Sequence, residues 1–316
     1  MPPSTEEPVI NAANLTKSYG LFRALRGVDL EVRRGEIFGF LGPNGAGKTT
    51  FIRCLLDLIR PDGGSLRVLG IDPQKQPVEV RRRCGYLPGE LRLDDSVRVR
   101  SVLRFFRSLR GGDTAMRGRA NEIAERLQLA TDAKIKNLSK GNKQKVGIVA
   151  AFMHRPDLLL LDEPTSGLDP LVQQTVLELV REACTDGATV FFSSHVLAEV
   201  QAIADRVAII RAGEVVEAGH TAELTAGGMI DVRLRIVEGE PTPTAVQLEA
   251  IPGVSVGGAE ADGRGFDLHV DGAMDRLVKF LAAYHLESFE TRRPSLEEVF
   301  LAHYDSNARQ EEGGER

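Results

Sequence analysis

The eight residues Gly42-Pro43-Asn44-Gly45-Ala46-Gly47-Lys48-Thr49 have the types and spacing to hold a phosphate. They fit G-x-x-x-x-G-K-[ST], a loop whose backbone N–H groups turn inward around an anion. A helix starting there adds partial positive charge. Lys48 would reach the β- and γ-phosphates of a nucleoside triphosphate such as ATP, and Thr49 would hold Mg2+ through its hydroxyl. A second stretch, Leu158-Leu159-Leu160-Leu161-Asp162-Glu163, is an apolar run that ends in two carboxylates. Ligands of parallel sheets sit at the carboxyl ends of strands, so both acids would emerge beside the phosphates. Asp162 would join the Mg2+ shell, and Glu163 would polarise an attacking water as general base.

Such chemistry needs a strand before the loop and a helix after it, and the sequence predicts these over 36–41 and 48–58. Near-continuous apolar runs at Ile37 to Leu41, Leu158 to Leu161, Thr189 to Phe192 and Val207 to Ile210 suit parallel strands buried on both faces. Residues 8–15, 27–32 and 65–69 read as flanking antiparallel strands. No strand pattern occurs from about 97 to 154, where Val99, Val102, Leu103, Phe106 and Leu109 recur at helical spacing; a helical subdomain of about 92–154 is predicted between two parallel strands. Beyond Gly227-Gly228 the order is strand 230–237, helix 243–250, strand 253–258, strand 265–270, helix 273–284, strand 286–291, the β-α-β-β-α-β pattern of ferredoxin-like units. Ser295-Leu296-Glu297-Glu298 matches a capping box opening a last helix, and the polar tail 305–316 reads as disordered. The expected domains are 8–222 and 228–304.

Composition narrows the function classes. With 40 Lys plus Arg against 45 Asp plus Glu, the net charge is −5, unsuited to coating nucleic acid. No apolar run reaches the ~18–20 residues that cross a bilayer, so no direct membrane insertion is expected. The first residues, Met1-Pro2-Pro3-Ser4-Thr5-Glu6-Glu7, lack the basic and apolar regions of a signal peptide. Cys54, Cys84 and Cys184 are scattered and read as buried reduced thiols, with neither disulfide nor zinc spacing. Arg81-Arg82-Arg83 reads as a solvated face, with a partner or anionic lipid as the alternative.

With these motifs in this order, residues 8–222 resemble the nucleotide-binding subunit of an ABC transporter. The resemblance implies roles for further residues. Tyr19 matches the aromatic that stacks on adenine. Leu138-Ser139-Lys140-Gly141-Asn142 matches the signature motif Leu-Ser-Gly-Gly-Gln, ahead of a helix predicted at 143–154, and would present Ser139 and Gly141 to the ATP of an opposing subunit. Ser166-Gly167-Leu168-Asp169 matches the loop between the two sites, and His195 the switch histidine at the γ-phosphate. The implied nucleotide-binding set is Tyr19, Gly42, Asn44, Gly45, Gly47, Lys48, Thr49, Thr50, Ser139 and Gly141. Lys48, Glu163 and His195 form the catalytic set, and Thr49 with Asp162 the metal set.

Two departures stand out. Gly89, in Cys84-Gly85-Tyr86-Leu87-Pro88-Gly89-Glu90, occupies the place of the family's glutamine, so Glu90 or a water would substitute, or the site would be tuned by another route. Lys140 and Asn142 replace Gly and Gln in the signature; Lys140 either adds positive charge near the expected phosphate or is a solvated surface Lys. These departures, and the closing Pro294-Ser295-Leu296-Glu297-Glu298-Val299-Phe300-Leu301, are similar to drug and antibiotic exporter ATPases of the daunorubicin and tetronasin type. The expected fold is α/β: a mostly parallel P-loop sheet with antiparallel β and helical subdomains, then a small α+β ferredoxin-like C-terminal domain. The resemblance implies an ATPase that dimerises with a second copy around two MgATP. It would drive small-molecule export through transmembrane permease subunits, at the cytoplasmic face of the plasma (inner) membrane. The alternative is an ABC-type ATPase or regulatory nucleotide-binding module not coupled to transport.

Overall fold

The computed structural model describes residues 8–226, 230–272 and 274–292. In chain order the first elements are β1 (Ile10–Tyr19), β2 (Phe22–Val32), β3 (Ile37–Leu41), α1 (Lys48–Leu55), β4 (Gly63–Val68), α2 (Pro77–Arg83) and β5 (Cys84–Leu87). Then come α3 (Val99–Ser108), α4 (Thr114–Arg126), α5 (Lys140–Phe152), β6 (Leu158–Asp162), α6 (Pro170–Thr185), β7 (Thr189–Ser194), α7 (Leu197–Ile203), β8 (Arg206–Arg211) and β9 (Glu214–His220). The chain continues through α8 (Thr221–Ala226), β10 (Ile230–Ile236), α9 (Ala245–Glu249), β11 (Val254–Ala259), β12 (Gly265–Val270), α10 (Met274–Leu281) and β13 (Leu286–Arg292). Its contacts divide it into two units between Gly219 and His220.

In the first unit a six-stranded sheet runs β5-β6-β7-β3-β8-β9. Its pairs from β5 to β8 are parallel, with Leu158↔Thr189 and Ile37↔Val190 in register. Every residue of β3, β6 and β7 is buried, which explains why their sequences are apolar on both faces. Between β3 and α1 the rings of Phe40, Phe51 and Phe191 pack at 5.2–5.8 Å. β9 returns beside β8 through Ala212 and Gly213, both at positive φ, as a two-residue hairpin turn demands.

A separate antiparallel sheet runs β2-β1-β4. β1 and β2 extend well past the expected 8–15 and 27–32. Their outer ends pair with each other, as at Tyr19↔Phe22, and the added length of β2 carries Ala24 and Leu25 into the core. α1 stops at Leu55, short of the expected 58, because Asp57 turns to φ 49 and the chain leaves the helix. α3, α4 and α5 form the expected helical insertion between β5 and β6, with a 3-10 turn at Ile135–Asn137. Side chains anchor it. Arg110 donates to Arg82 O and Cys84 O at 2.9 and 3.0 Å, and Arg126 meets Glu182 on α6 at 2.7 Å. Cys54 and Cys84 are buried and their thiols pushed up to about 12 by burial. Cys184, expected buried, is only partly covered, because it lies near the exposed end of α6 and its thiol donates to Gly35 O.

The second unit is an antiparallel sheet in the order β11-β12-β10-β13, with α9 and α10 in the connections. This order matches the expected β-α-β-β-α-β pattern. β10 alternates: Val232, Leu234 and Ile236 are buried with Leu248, Phe266 and Leu277, while Arg233 pairs with Asp267 on the other face. Thr244 and Gln247 make a reciprocal capping box on α9. The helix expected from Ser295 and the tail 305–316 lie outside the described residues.

Candidate active site

The site is assembled where β3, β6 and β7 end beside the start of α1. Gly47 is the N-cap of α1 at φ 113, and a Cβ there would lie 2.6 Å from Ala24 O, so only glycine lets the loop close. The unpaired N–H groups of the first turn are left to face an anion. Lys48 opens the helix, only 4% exposed, and its ammonium donates to Gly42 O at 2.6 Å and Pro43 O at 3.2 Å. Burial pulls its pKa down, and the negative charge of Glu163, 3.6 Å away, opposes that fall.

Thr49 lies on the same turn and donates its hydroxyl to Asp162 Oδ2 at 2.7 Å. The other oxygen of that buried carboxylate takes the Ser193 hydroxyl at 2.6 Å. Glu163 follows at φ 51, a left-handed backbone that a side chain rarely adopts. Its carboxylate spans Lys48 and His195, whose Nδ1 is 3.3 Å from Oε2. The half-exposed His195 lies just past β7 and ahead of α7.

Lys48, Thr49, Asp162, Glu163 and His195 are thus brought together. Gly42 packs against β8, where a Cβ would lie 2.4 Å from Ile210 O. Asn44 and Gly45 form the exposed crown of the loop, and Thr50 continues α1. Among the described residues, no hydrogen bond or ion pair joins Tyr19, Ser139 or Gly141 to this cluster. Tyr19 ends β1, half-exposed, with the Lys17 ammonium 5.8 Å from its ring. Ser139 is the N-cap of α5, its hydroxyl accepting from Asn142 N–H at 3.2 Å. α5 therefore begins at Lys140 and not at the expected 143, and Lys140, Gly141 and Asn142 are its first turn. The cap explains the difference: Ser139 pairs with the third residue after it, but no Glu or Gln stands there to signal a capping box. A Cβ on Gly141 would lie 2.5 Å from Gly167 O, so the signature and the Ser166–Asp169 loop approach without room for a side chain.

Sequence reasoning missed Ser193. Its signal was a hydroxyl at the carboxyl end of the strand next to the Asp162 strand. Gln144, also missed, lies in α5 and donates to Glu163 O at 3.1 Å.

The donors suit a small hard cation. Thr49 Oγ1 and Asp162 Oδ2 already lie side by side, and no group of three acidic, His or Cys ligands occurs among the described residues. A cation held there takes its other ligands from phosphate and water, as Mg2+ does. Glu90, the residue beside the missing glutamine's place, has an exposed carboxylate that pairs with Arg92 at 3.2 Å. Gly89 faces Asp162, and a Cβ there would be 3.2 Å from Oδ2. Gly89→Gln puts an amide beside that carboxylate. Changing a partner of a metal ligand shifts activity by about tenfold or more. The expected result is a shift of that size in ATP turnover across a Mg2+ titration; superimposable curves would show the position is unused.

An ABC transporter family model matches residues 25–166, spanning the phosphate loop, the signature and Asp162-Glu163. The daunorubicin resistance ATP-binding protein DrrA3 of Streptomyces coeruleorubidus is 38% identical over 93% of this chain and 95% of its own. The chain belongs to the ABC transporter ATP-binding family. The linearmycin resistance ATP-binding protein LnrL of Bacillus subtilis (strain 168) is 32% identical over 93% of this chain and 97% of its own. Among solved structures, an ATP-binding subunit of an ABC transporter is 30% identical, with TM-score 0.64, over 68% of this chain and 91% of that one. A dimeric ATP-binding cassette in a post-hydrolysis state bound to ADP and Pi shares the fold, with TM-score 0.62 at 24% identity, over 67% of this chain and 98% of that one. As an ABC subunit the chain is an ATPase. No helix among its described residues is long and apolar enough to cross a membrane.

Proposed function

We propose that this ABC ATPase dimerises with a second copy around two MgATP and drives export of a small molecule of the drug or antibiotic class through a separate transmembrane permease. It would work at the cytoplasmic face of the plasma membrane, attached through that permease. The carrying observation is the extent of likeness to proteins named for daunorubicin and linearmycin resistance: 93% of this chain, not the cassette alone. Residues 8–222 would form the nucleotide-binding domain and 228–304 the C-terminal one.

Within each site the residues have distinct tasks. Lys48 and the α1 N-terminus bind the β- and γ-phosphates, and the Lys48 ammonium exchanges its loop carbonyls for phosphate oxygens. Thr49 and Asp162 would hold Mg2+, which neutralises charge on the phosphates when bound. Glu163 accepts the proton of the attacking water, and His195, within reach of the same carboxylate, contacts the γ-phosphate edge. Tyr19 stacks on adenine. Ser139 and Gly141, on the N-terminus of α5, meet the γ-phosphate bound by the opposing subunit. ATP contacts both subunits and so favours the closed dimer; hydrolysis removes the contact.

The permease would contact the segment from Tyr86 to Val97 and the groove beside it, which is lined by Leu58, Tyr86, Leu91, Phe106 and Arg110. Gly89 in that loop lies against Asp162, so a push on the loop is felt at the site. Affinity purification in mild detergent from native membranes, with and without ATP, tests the reading. Stoichiometric recovery of a polytopic membrane protein is expected. Recovery of soluble partners alone, with ATPase activity intact, would overturn the transport role.

A further inference from the structure

We infer that Gln144 is a positioning residue, which from the signature helix α5 holds the Glu163 peptide in the conformation that aims its carboxylate. It would tie the base of one ATP site to the helix that meets the ATP of the other. The inference rests on the reading of Glu163 as base and of α5 as the element facing the opposing nucleotide.

Gln144 lies in the second turn of α5 and is 4% exposed, so its amide must find partners within the protein. Nε2 donates to Glu163 O at 3.1 Å and lies 3.5 Å from Pro164 O. The residue it grips is strained, at φ 51. A left-handed backbone at a residue with a side chain persists only where its surroundings hold it. On the amino side, Glu163 N–H is shared between Ser193 O at 3.1 Å and Ser193 Oγ at 3.2 Å. The carbonyl side is gripped by Gln144, with Ser166 N–H as a second donor at 3.2 Å. β7 therefore fixes one face of Glu163 and α5 the other.

α5 touches the same segment again one turn earlier, where Gly141 approaches Gly167 O too closely for a Cβ. The helix is not part of the parallel sheet. It belongs to the helical insertion, which Lys143 ties to Asp95 at 3.0 Å on the loop before α3. A displacement of α5 by about an ångström would carry Nε2 out of hydrogen-bond range of Glu163 O. The base would then be aimed only while α5 is seated, and α5 is seated against whatever its N-terminus binds.

The test uses the full chain with Gln144→Met, which keeps length and apolar volume but removes the donor. Glu163 O retains the Ser166 N–H, and Pro164 O loses only a long contact of 3.5 Å, so the variant is expected to fold with a thermal midpoint near that of the parent. The expected result is a fall in kcat of about tenfold, the ~1.4 kcal/mol worth of one hydrogen bond, with KM for ATP within about twofold. The decisive measurement is the cycle with Glu163→Gln. If Gln144 acts through Glu163, the double variant is no slower than Glu163→Gln alone. Losses that multiply, an unchanged kcat, or an effect confined to KM would each overturn the proposal. Whether Glu163 is the base is read separately from the single Glu163→Gln variant, so the two readings fail by different measurements.

Discussion

Glu163→Gln is expected to bind ATP with nearly the parent affinity and to hydrolyse it about 10²–10⁴-fold more slowly, the range for losing a positioned general base. The amide has the shape of the carboxylate and can keep its place between Lys48 and His195, but it takes no proton from water. Charge works in the same direction for binding. A negative Glu163 repels the triphosphate, so its loss lets Lys48 serve the phosphates alone. Bound but unhydrolysed ATP should then accumulate in a closed dimer. Size exclusion with ATP, beside steady-state hydrolysis, reads both effects. Parent-like turnover in this variant would remove Glu163 from the mechanism.

The second large effect is on binding. Lys48 is a buried cation whose donors are spent on Gly42 O and Pro43 O, and burial has already lowered its pKa. Such a group gains most when phosphate oxygens arrive, because a hydrogen bond to a charged group contributes about 1.5–3 kcal/mol. Lys48→Ala should weaken ATP binding by about 10- to 100-fold. ADP is the control: with no γ-phosphate it should lose less. Titration calorimetry with each nucleotide, alongside thermal unfolding of the free variant, separates lost contact from a collapsed loop. Equal ATP affinity in parent and variant would sink the assignment.

Much of this site was legible because its parts are local. A phosphate loop is one strand, eight residues and one helix, and the period of apolar residues marks both flanks. The acid pair was legible for the same reason, as an apolar run that stops at Asp162. Contacts between distant segments were not. Ser193 reaches Asp162 across 31 residues, and Gln144 reaches Glu163 across 19 from another subdomain. Neither spacing repeats any period, so no pattern in the chain announces it.

The sequence by itself determined the order of the elements, because burial on both faces of β3, β6 and β7 demands unbroken apolar runs, and a turn at Gly47 demands glycine. It also determined the helical insertion, whose apolar residues recur at helical spacing, and the alternation of β10. The tertiary structure alone decided how far β1 and β2 run, since two buried residues, Ala24 and Leu25, are too short a run to mark a strand and the ends are completed by pairing between the two strands. It also decided where α5 begins, through one hydroxyl, and that Glu90 turns away from the site toward Arg92. The left-handed backbone of Glu163 belongs to this second group. A glutamate states no preference for φ 51, and the conformation exists because β7 and α5 close on its peptide from opposite sides.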